Sequence, residues 1–218
     1  MTKSISQKIL DILFPIKCLS CGAKDITLCN KCLDSVDIVL QKHGATTISI
    51  FSYRNAIIKK ALRALKYNNN KEIGEIFARI LYDEILEDLS DRQLFSNFKN
   101  PLLIPIPLSK KRLRERGFNQ SGLIAREISH LDNNTSFTFT ESVLYKIKDT
   151  PSQVSIKDKA ERLKNLHGCF SVKDKKVVCG KNIIIIDDVT TTGATIAEAR
   201  KTLLSAGAKK VIAFTVAH

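Results

Sequence analysis

The spacing of apolar residues changes period several times along the 218-residue chain, and each change marks an element. Ile5, Ile9, Ile12 and Leu13 recur at helical spacing behind Ser4 or Ser6, either of which can cap, and Pro15 ends that short amphipathic helix. Residues 46–53, TTISIFSY, carry Ile48, Ile50 and Ser52 on one face and predict a strand. Asn55 then caps a helix with an apolar stripe of Ile57, Ile58, Ala61, Leu62 and Leu65, opposite a basic stripe of Lys59, Lys60, Arg63 and Lys66. After a turn at 68–70, Ile73, Ile76, Phe77, Ile80, Leu81, Ile85 and Leu89 give a longer helix over 72–89, followed by a polar stretch. From LLIPIP onward the order is strand, helix, strand, long polar loop, strand, helix, strand, with helices at 120–129 and 195–205. The run Ile183 to Ile186 is apolar without alternation, which predicts a parallel sheet buried on both faces. Pro105 and Pro107 must fall at the end of their strand, since proline donates no ladder bond.

Length and composition set the limits on this pattern. The chain accommodates one α/β domain and a small accessory module, and its 44% apolar content supports a packed core. A net charge of +13 makes polyanions the natural partners and phosphate the expected theme, although a solvated basic surface accounts for the same excess. The apolar stretch at 9–16 is interrupted by Asp11 and Pro15 and is too short for a signal-peptide core or a transmembrane helix, so a cytoplasmic location is expected. In that reducing compartment Cys18, Cys21, Cys29 and Cys32 read as metal ligands: two Cys-x-x-Cys pairs seven residues apart place four thiolates around one tetrahedral ion. All four positions are then filled by protein, so the expected ion is a structural zinc. This ribbon-like module ends near Gly44, dividing the chain into a module at 1–44 and a main domain at 45–218. Cys169 and Cys179 stand alone and read as small buried or half-buried apolar residues.

The densest chemistry lies in residues 183–195, IIIIDDVTTTGAT. An apolar strand delivers two acids at its carboxyl end, and a turn of small residues opens the next helix. Thr190, Thr191, Thr192, Gly193, Ala194 and Thr195 offer hydroxyls and backbone N–H groups at a helix N-terminus, where the macrodipole favours an anion and Gly193 permits close approach. Asp187 and Asp188 repel a phosphate but, as pure acceptors, suit the 2′ and 3′ hydroxyls of a ribose; the pair can also help hold Mg²⁺. The thirteen residues resemble the signature of the type I phosphoribosyltransferases. The resemblance implies a parallel sheet flanked by helices and a pocket for phosphoribosyl pyrophosphate. Purine-salvage members usually carry an acid where this chain has Thr191, which argues against that activity here.

The same resemblance implies roles for two further segments. In SKKRLRERGFNQS, a cationic loop after the first core strand, Ser109 and Lys110 occupy the position of the pyrophosphate loop. Lys111, Arg112, Arg114 and Arg116, with the helical stripe Lys59, Lys60, Arg63 and Lys66, make the expected DNA-binding set, and for Arg112 to Arg116 plain solvation remains equally open. TPSQVSIKDKAERLKN at 150–165, with Gln153, Lys157, Lys159 and Arg162, resembles the flap that closes over the donor, most closely that of the amidophosphoribosyltransferases. Cysteine knuckles, LKY, IPIPL, RERGFNQ, TPSQ to ERLKN and DDVTTTGAT, in that order, resemble the ComF family of competence proteins. The resemblance implies natural transformation, with single-stranded DNA, phosphoribosyl pyrophosphate with Mg²⁺, and other DNA-uptake proteins at the inner membrane as partners. Three readings stay open: a DNA- and donor-binding protein, an active phosphoribosyltransferase with an unknown acceptor, and a sensor of the nucleotide precursor. Phe118 and Tyr67 are the aromatics placed to stack on bases. No dedicated catalytic base is visible.

Overall fold

A computed structural model of the chain describes residues 15–44, 46–67, 70–148 and 166–218. The expected helix around Ile5 to Leu13 and the flap residues Gln153, Lys157, Lys159 and Arg162 lie outside the described residues. The elements in order are α1 (Asn30–Asp34), β1 (Gln41–His43), β2 (Thr47–Phe51), α2 (Ala56–Tyr67), α3 (Lys71–Ser96), β3 (Leu102–Pro105), α4 (Lys110–Arg116), α5 (Gln120–Asp132), β4 (Thr138–Phe139), β5 (Leu144–Lys146), β6 (Phe170–Val172), α6 (Lys175–Val178), β7 (Asn182–Val189), α7 (Ala194–Ser205) and β8 (Lys210–Ala217).

Six strands form one sheet in the order β1-β2-β8-β7-β3-β4. Every pairing is parallel except β1 with β2, so the sheet is mixed, with an antiparallel hairpin at one edge. The division expected near Gly44 falls in the turn of that hairpin, and the packing runs across it. Cys18, Leu28, Cys32 and Val36 share one buried cluster with Ile50, Ile58, Phe77 and Phe214. β5 and β6 pair as a separate antiparallel hairpin.

Strand β7 is the centre of the molecule. Its isoleucines are completely buried, and the two-residue period sends Ile184 and Ile186 into the core under α2, α3 and α5, while Ile183 and Ile185 enter a second core with Ala199 and Leu203 of α7. Burial on both faces explains the absence of alternation. β2 departs from its expected alternating exposure for the same reason: all five of its residues are buried.

Helix α3 extends past Leu89 to Ser96, through the stretch expected to be a polar connection. Arg92 pairs with Asp88 one turn earlier, and the Ser90 and Ser96 hydroxyls donate to the carbonyls four residues back, so polar side chains sustain the helix until Asn97 turns left-handed at φ 51°. The expected cationic loop is also partly helical. Ser109 caps α4, and Gly117 ends it at φ 77°, a conformation that suits glycine. Cys169 is buried as expected, but Cys179 is exposed, at the end of α6.

Candidate functional site

The two acids of the signature lie inside β7 rather than beyond it, Asp187 opposite Thr215 in the ladder with β8. Each of the two residues is 8% exposed. Ser121, at the start of α5, donates its hydroxyl to Asp187 Oδ1 at 2.9 Å, and the Asp188 N–H donates to the same oxygen at 2.9 Å. Burial, reinforced by the neighbouring Asp188 charge, pushes the Asp187 carboxyl up to about 7. Asp188 turns the other way and meets Lys66 Nζ at 3.0 Å. Burial works against the Lys66 charge, but the Asp188 carboxylate, with Asp187 behind it, holds its pKa above the ordinary value.

Lys66 was expected among the exposed basic residues of α2. It sits instead at the last turn, where the helix points its side chain at the ends of the sheet strands. Ser121 was not singled out by the sequence. It closes the cationic segment 109–121, but no role attaches to it until the fold sets the start of α5 beside the end of β7.

Past the acids, Thr190 is buried and its N–H donates to the Ala217 carbonyl at 2.9 Å, which locks the turn to β8. Gly193 at φ 73° is the N-cap of α7, and a Cβ there would meet nothing within 4 Å among the described residues, so these leave open space before the first turn. Thr191 is exposed, Thr192 and Thr195 are half-buried, and Ala194 is buried. The Thr192 hydroxyl accepts from the Ala194 N–H at 3.4 Å. The arrangement places acceptor-only carboxylates beside an uncrowded helix N-terminus, a setting that suits a polyol joined to an anion.

Around this centre the other expected residues divide. Ser109 is buried and its hydroxyl is spent on the Arg112 N–H, whereas Lys110 is exposed at the start of α4. Arg116 reaches Gln120 Oε1 at 3.0 Å and lies 5.8 Å over the ring of Tyr67, which joins α4 to the end of α2. Lys59, Lys60, Arg63, Lys111 and Arg114 are exposed, and Arg112 is half-buried. Tyr67 is 70% exposed, but Phe118 packs against the core. A cavity of about 370 Å³, lined by Pro107, Leu108, Phe118, Asn119, Arg126 and Glu141 among others, opens beside the carboxyl end of β3. Asn119 donates to the Ile106 carbonyl at 3.0 Å, and its buried Oδ1 has no partner among the described residues.

The four sulfur atoms of Cys18, Cys21, Cys29 and Cys32 lie within 4.8 Å of one another, with Cys18 to Cys29 at 3.7 Å and Cys21 to Cys29 at 3.6 Å. A zinc ion with bonds of about 2.3 Å sets tetrahedral sulfurs about 3.8 Å apart, so the cluster could hold a metal ion with little rearrangement. Backbone turns support it: Gly22 N–H donates to the Cys18 carbonyl, and Cys32 N–H to that of Cys29, each at 3.0 Å.

The model of the phosphoribosyl transferase domain family matches residues 67–218. The chain belongs to that family. Its relatives refine the placement to a ComFC-like member. The competence protein ComFC of Streptococcus pneumoniae is 31% identical over 201 residues, 91% of this chain and 79% of that protein. ComFC of Bacillus subtilis is 32% identical over 169 residues, 77% of this chain and 62% of the relative. The DNA utilization protein YhgH of Salmonella typhi is 31% identical over 150 residues, covering 67% and 61%. The match thus spans only about three fifths of the Bacillus and Salmonella proteins. Within residues 67–218 lie the signature acids, the Ser121 partner of Asp187 and the open turn, whereas the Asp188 partner Lys66 precedes the matched range by one residue.

Proposed function

We propose that this ComFC-like chain acts in natural transformation, binding phosphoribosyl pyrophosphate with Mg²⁺ and handling incoming single-stranded DNA in the cytoplasm. The observation that carries the reading is the buried Asp187 and Asp188 pair in front of the open first turn of α7, with Lys66 across from it. In this reading the carboxylates hold the ribose hydroxyls, the Thr191 to Thr195 turn holds the 5-phosphate, and Lys110 reaches the pyrophosphate. Mg²⁺ would sit by Asp188 and neutralise the pyrophosphate; this requires Lys66 to give up its ion pair and turn to the phosphates. The names of the relatives, competence and DNA utilization, support the DNA role, together with the exposed cations of α2 and α4. Zinc on the four cysteines is structural.

Titration calorimetry tests the donor site: binding of phosphoribosyl pyrophosphate with Mg²⁺ is expected for the wild type and at least roughly tenfold weaker for Asp188→Asn, as for loss of a charged, buried partner. An unaffected affinity would move the donor elsewhere. Fluorescence anisotropy tests the DNA role. Sequence-independent binding should fall with salt at a slope of about −0.7 per neutralised phosphate, and the absence of binding at low salt refutes it.

A second reading, transfer of phosphoribose to an acceptor, is favoured by the cavity at the carboxyl end of β3, which leaves room for a further molecule beside Asn119. Release of pyrophosphate on adding amines or nucleobases would select it.

A further inference from the structure

The end of the sheet remote from the acids has its own character. The last turn of α3 exposes two bulky apolar side chains, Leu94 at 79% and Phe95 at 86%, neither of which contributes to the core. Three contacts fix what surrounds them. Lys210 Nζ donates to the Ser96 carbonyl at 2.5 Å, Asn182 Nδ2 to the Lys99 carbonyl at 3.0 Å, and the Lys209 N–H to the Lys181 carbonyl at 2.8 Å. The exposed lysines 99, 181, 209 and 210 are thereby gathered at the amino ends of β3, β7 and β8, alongside the end of α3. The nearest exposed acids along these segments are Asp91 and Asp174, and Asp174 is occupied in capping Lys176.

We infer that this end of the molecule seats on an anionic lipid surface, with Leu94 and Phe95 entering the boundary between headgroups and acyl chains and the four lysines resting on lipid phosphates. Among the described residues Leu94 and Phe95 are the most exposed large apolar side chains, and bulky apolar groups projecting beside lysines are the pattern of an interfacial anchor. The charges alone would suit any polyanion. A nucleic acid has no use for the leucine, and its own contacts are met by the cations of α2 and α4. β7 runs from the lysine end to the acid end, so a docked molecule holds the candidate pocket away from the bilayer, open to soluble ligands.

The test uses the full chain and vesicles of phosphatidylcholine with about one third phosphatidylglycerol, sedimented in parallel with pure phosphatidylcholine vesicles. The wild type is expected to sediment with the anionic vesicles only, and Leu94→Ser/Phe95→Ser and Lys181→Glu/Lys209→Glu each to weaken that binding by roughly tenfold or more. Both pairs are surface substitutions, so thermal melts should match the wild type. The chain contains no tryptophan, and Phe95→Trp therefore supplies a single probe whose emission should shift to the blue on anionic vesicles alone. Undiminished sedimentation of Leu94→Ser/Phe95→Ser, without a blue shift in Phe95→Trp, would overturn the inference, assigning the attraction to the general positive charge. Failure of the wild type to bind vesicles would overturn it too and leave an acidic protein as the occupant of this face.

Discussion

At the scale of single residues, the site combines groups that oppose folding with groups that support it. Asp187 is the clearest case. A carboxyl whose folded pKa is raised from 3.8 to about 7 favours the folded state fully only below the unfolded value, and this contribution is lost as pH rises through the folded one. Asp187→Asn keeps an acceptor for Ser121 while removing the charge. In metal-free buffer it is expected to be more stable than the wild type by about 1–3 kcal/mol at pH 8 and nearly equal to it at pH 4. Thermal melts at the two pH values decide this, and a less stable variant at pH 8 would show that the carboxylate is better accommodated than its burial implies. Gly193→Ala should cost about 1 kcal/mol or more because of its left-handed backbone, although the space for a methyl group is free. The acids and the small-residue turn were legible in the sequence because they are contiguous. Lys66 and Ser121 were not: one lay in a basic helical stripe read as a face for DNA, the other at the end of a cationic segment whose charges drew the attention. Only the packing of α2 and α5 over the end of β7 brings them to Asp188 and Asp187.

At the scale of elements, helix starts and strand centres were easier to read than ends. Asn55 caps α2 as its position suggests, accepting from the Ile57 and Ile58 N–H groups at 2.9 and 3.2 Å, and the unbroken isoleucines announced a doubly covered strand. The end of α3 was misplaced because hydrophobic periodicity stops at Leu89, while local ion pairing and serine back-bonding carry the helix onward. α4 was read as a loop because seven mostly charged residues show no apolar face, and none of them is buried. The start of α3 has a second task. Asn70 accepts from the Ile73 N–H at 3.3 Å and donates to the Thr27 hydroxyl at 3.4 Å, and Thr27 in turn donates to Glu72. Asn70→Ala is expected to lower stability by about 1–2 kcal/mol, as loss of a helix cap does, and to loosen the cysteine segment as well. Hydrogen exchange over 18–33 would report that loosening, and unchanged protection there would reduce Asn70 to a local cap.

At the scale of the whole molecule, the cysteine segment is part of the main fold. Cys18 and Cys32 are buried in the same core as α2 and α3, so a zinc ion held there supports more than its own turns. Chelation is expected to lower the melting temperature of the entire chain in one cooperative transition; a separate early transition confined to the N-terminal residues would instead describe two independent units. The sequence announced the α/β class through its central strand, but the coupling across residue 44 was hidden, since a three-residue strand such as β1 leaves no periodic signal. The short outer strands have one more effect. β7 carries four consecutive isoleucines, a run of the kind that stacks readily with copies of itself, and it is shielded by β3 and β4 on one side and by β8, β2 and β1 on the other. β1 ends the sheet with three residues and an exposed Lys42, and β4 with two, so a neighbouring chain finds almost no free backbone on which to add a strand. The two residues of β4 are thus a guard. Were they to peel away, the buried Leu102 to Pro105 strand would become the rim, and the chain would change from one that resists self-templating to one that offers a starting point for it.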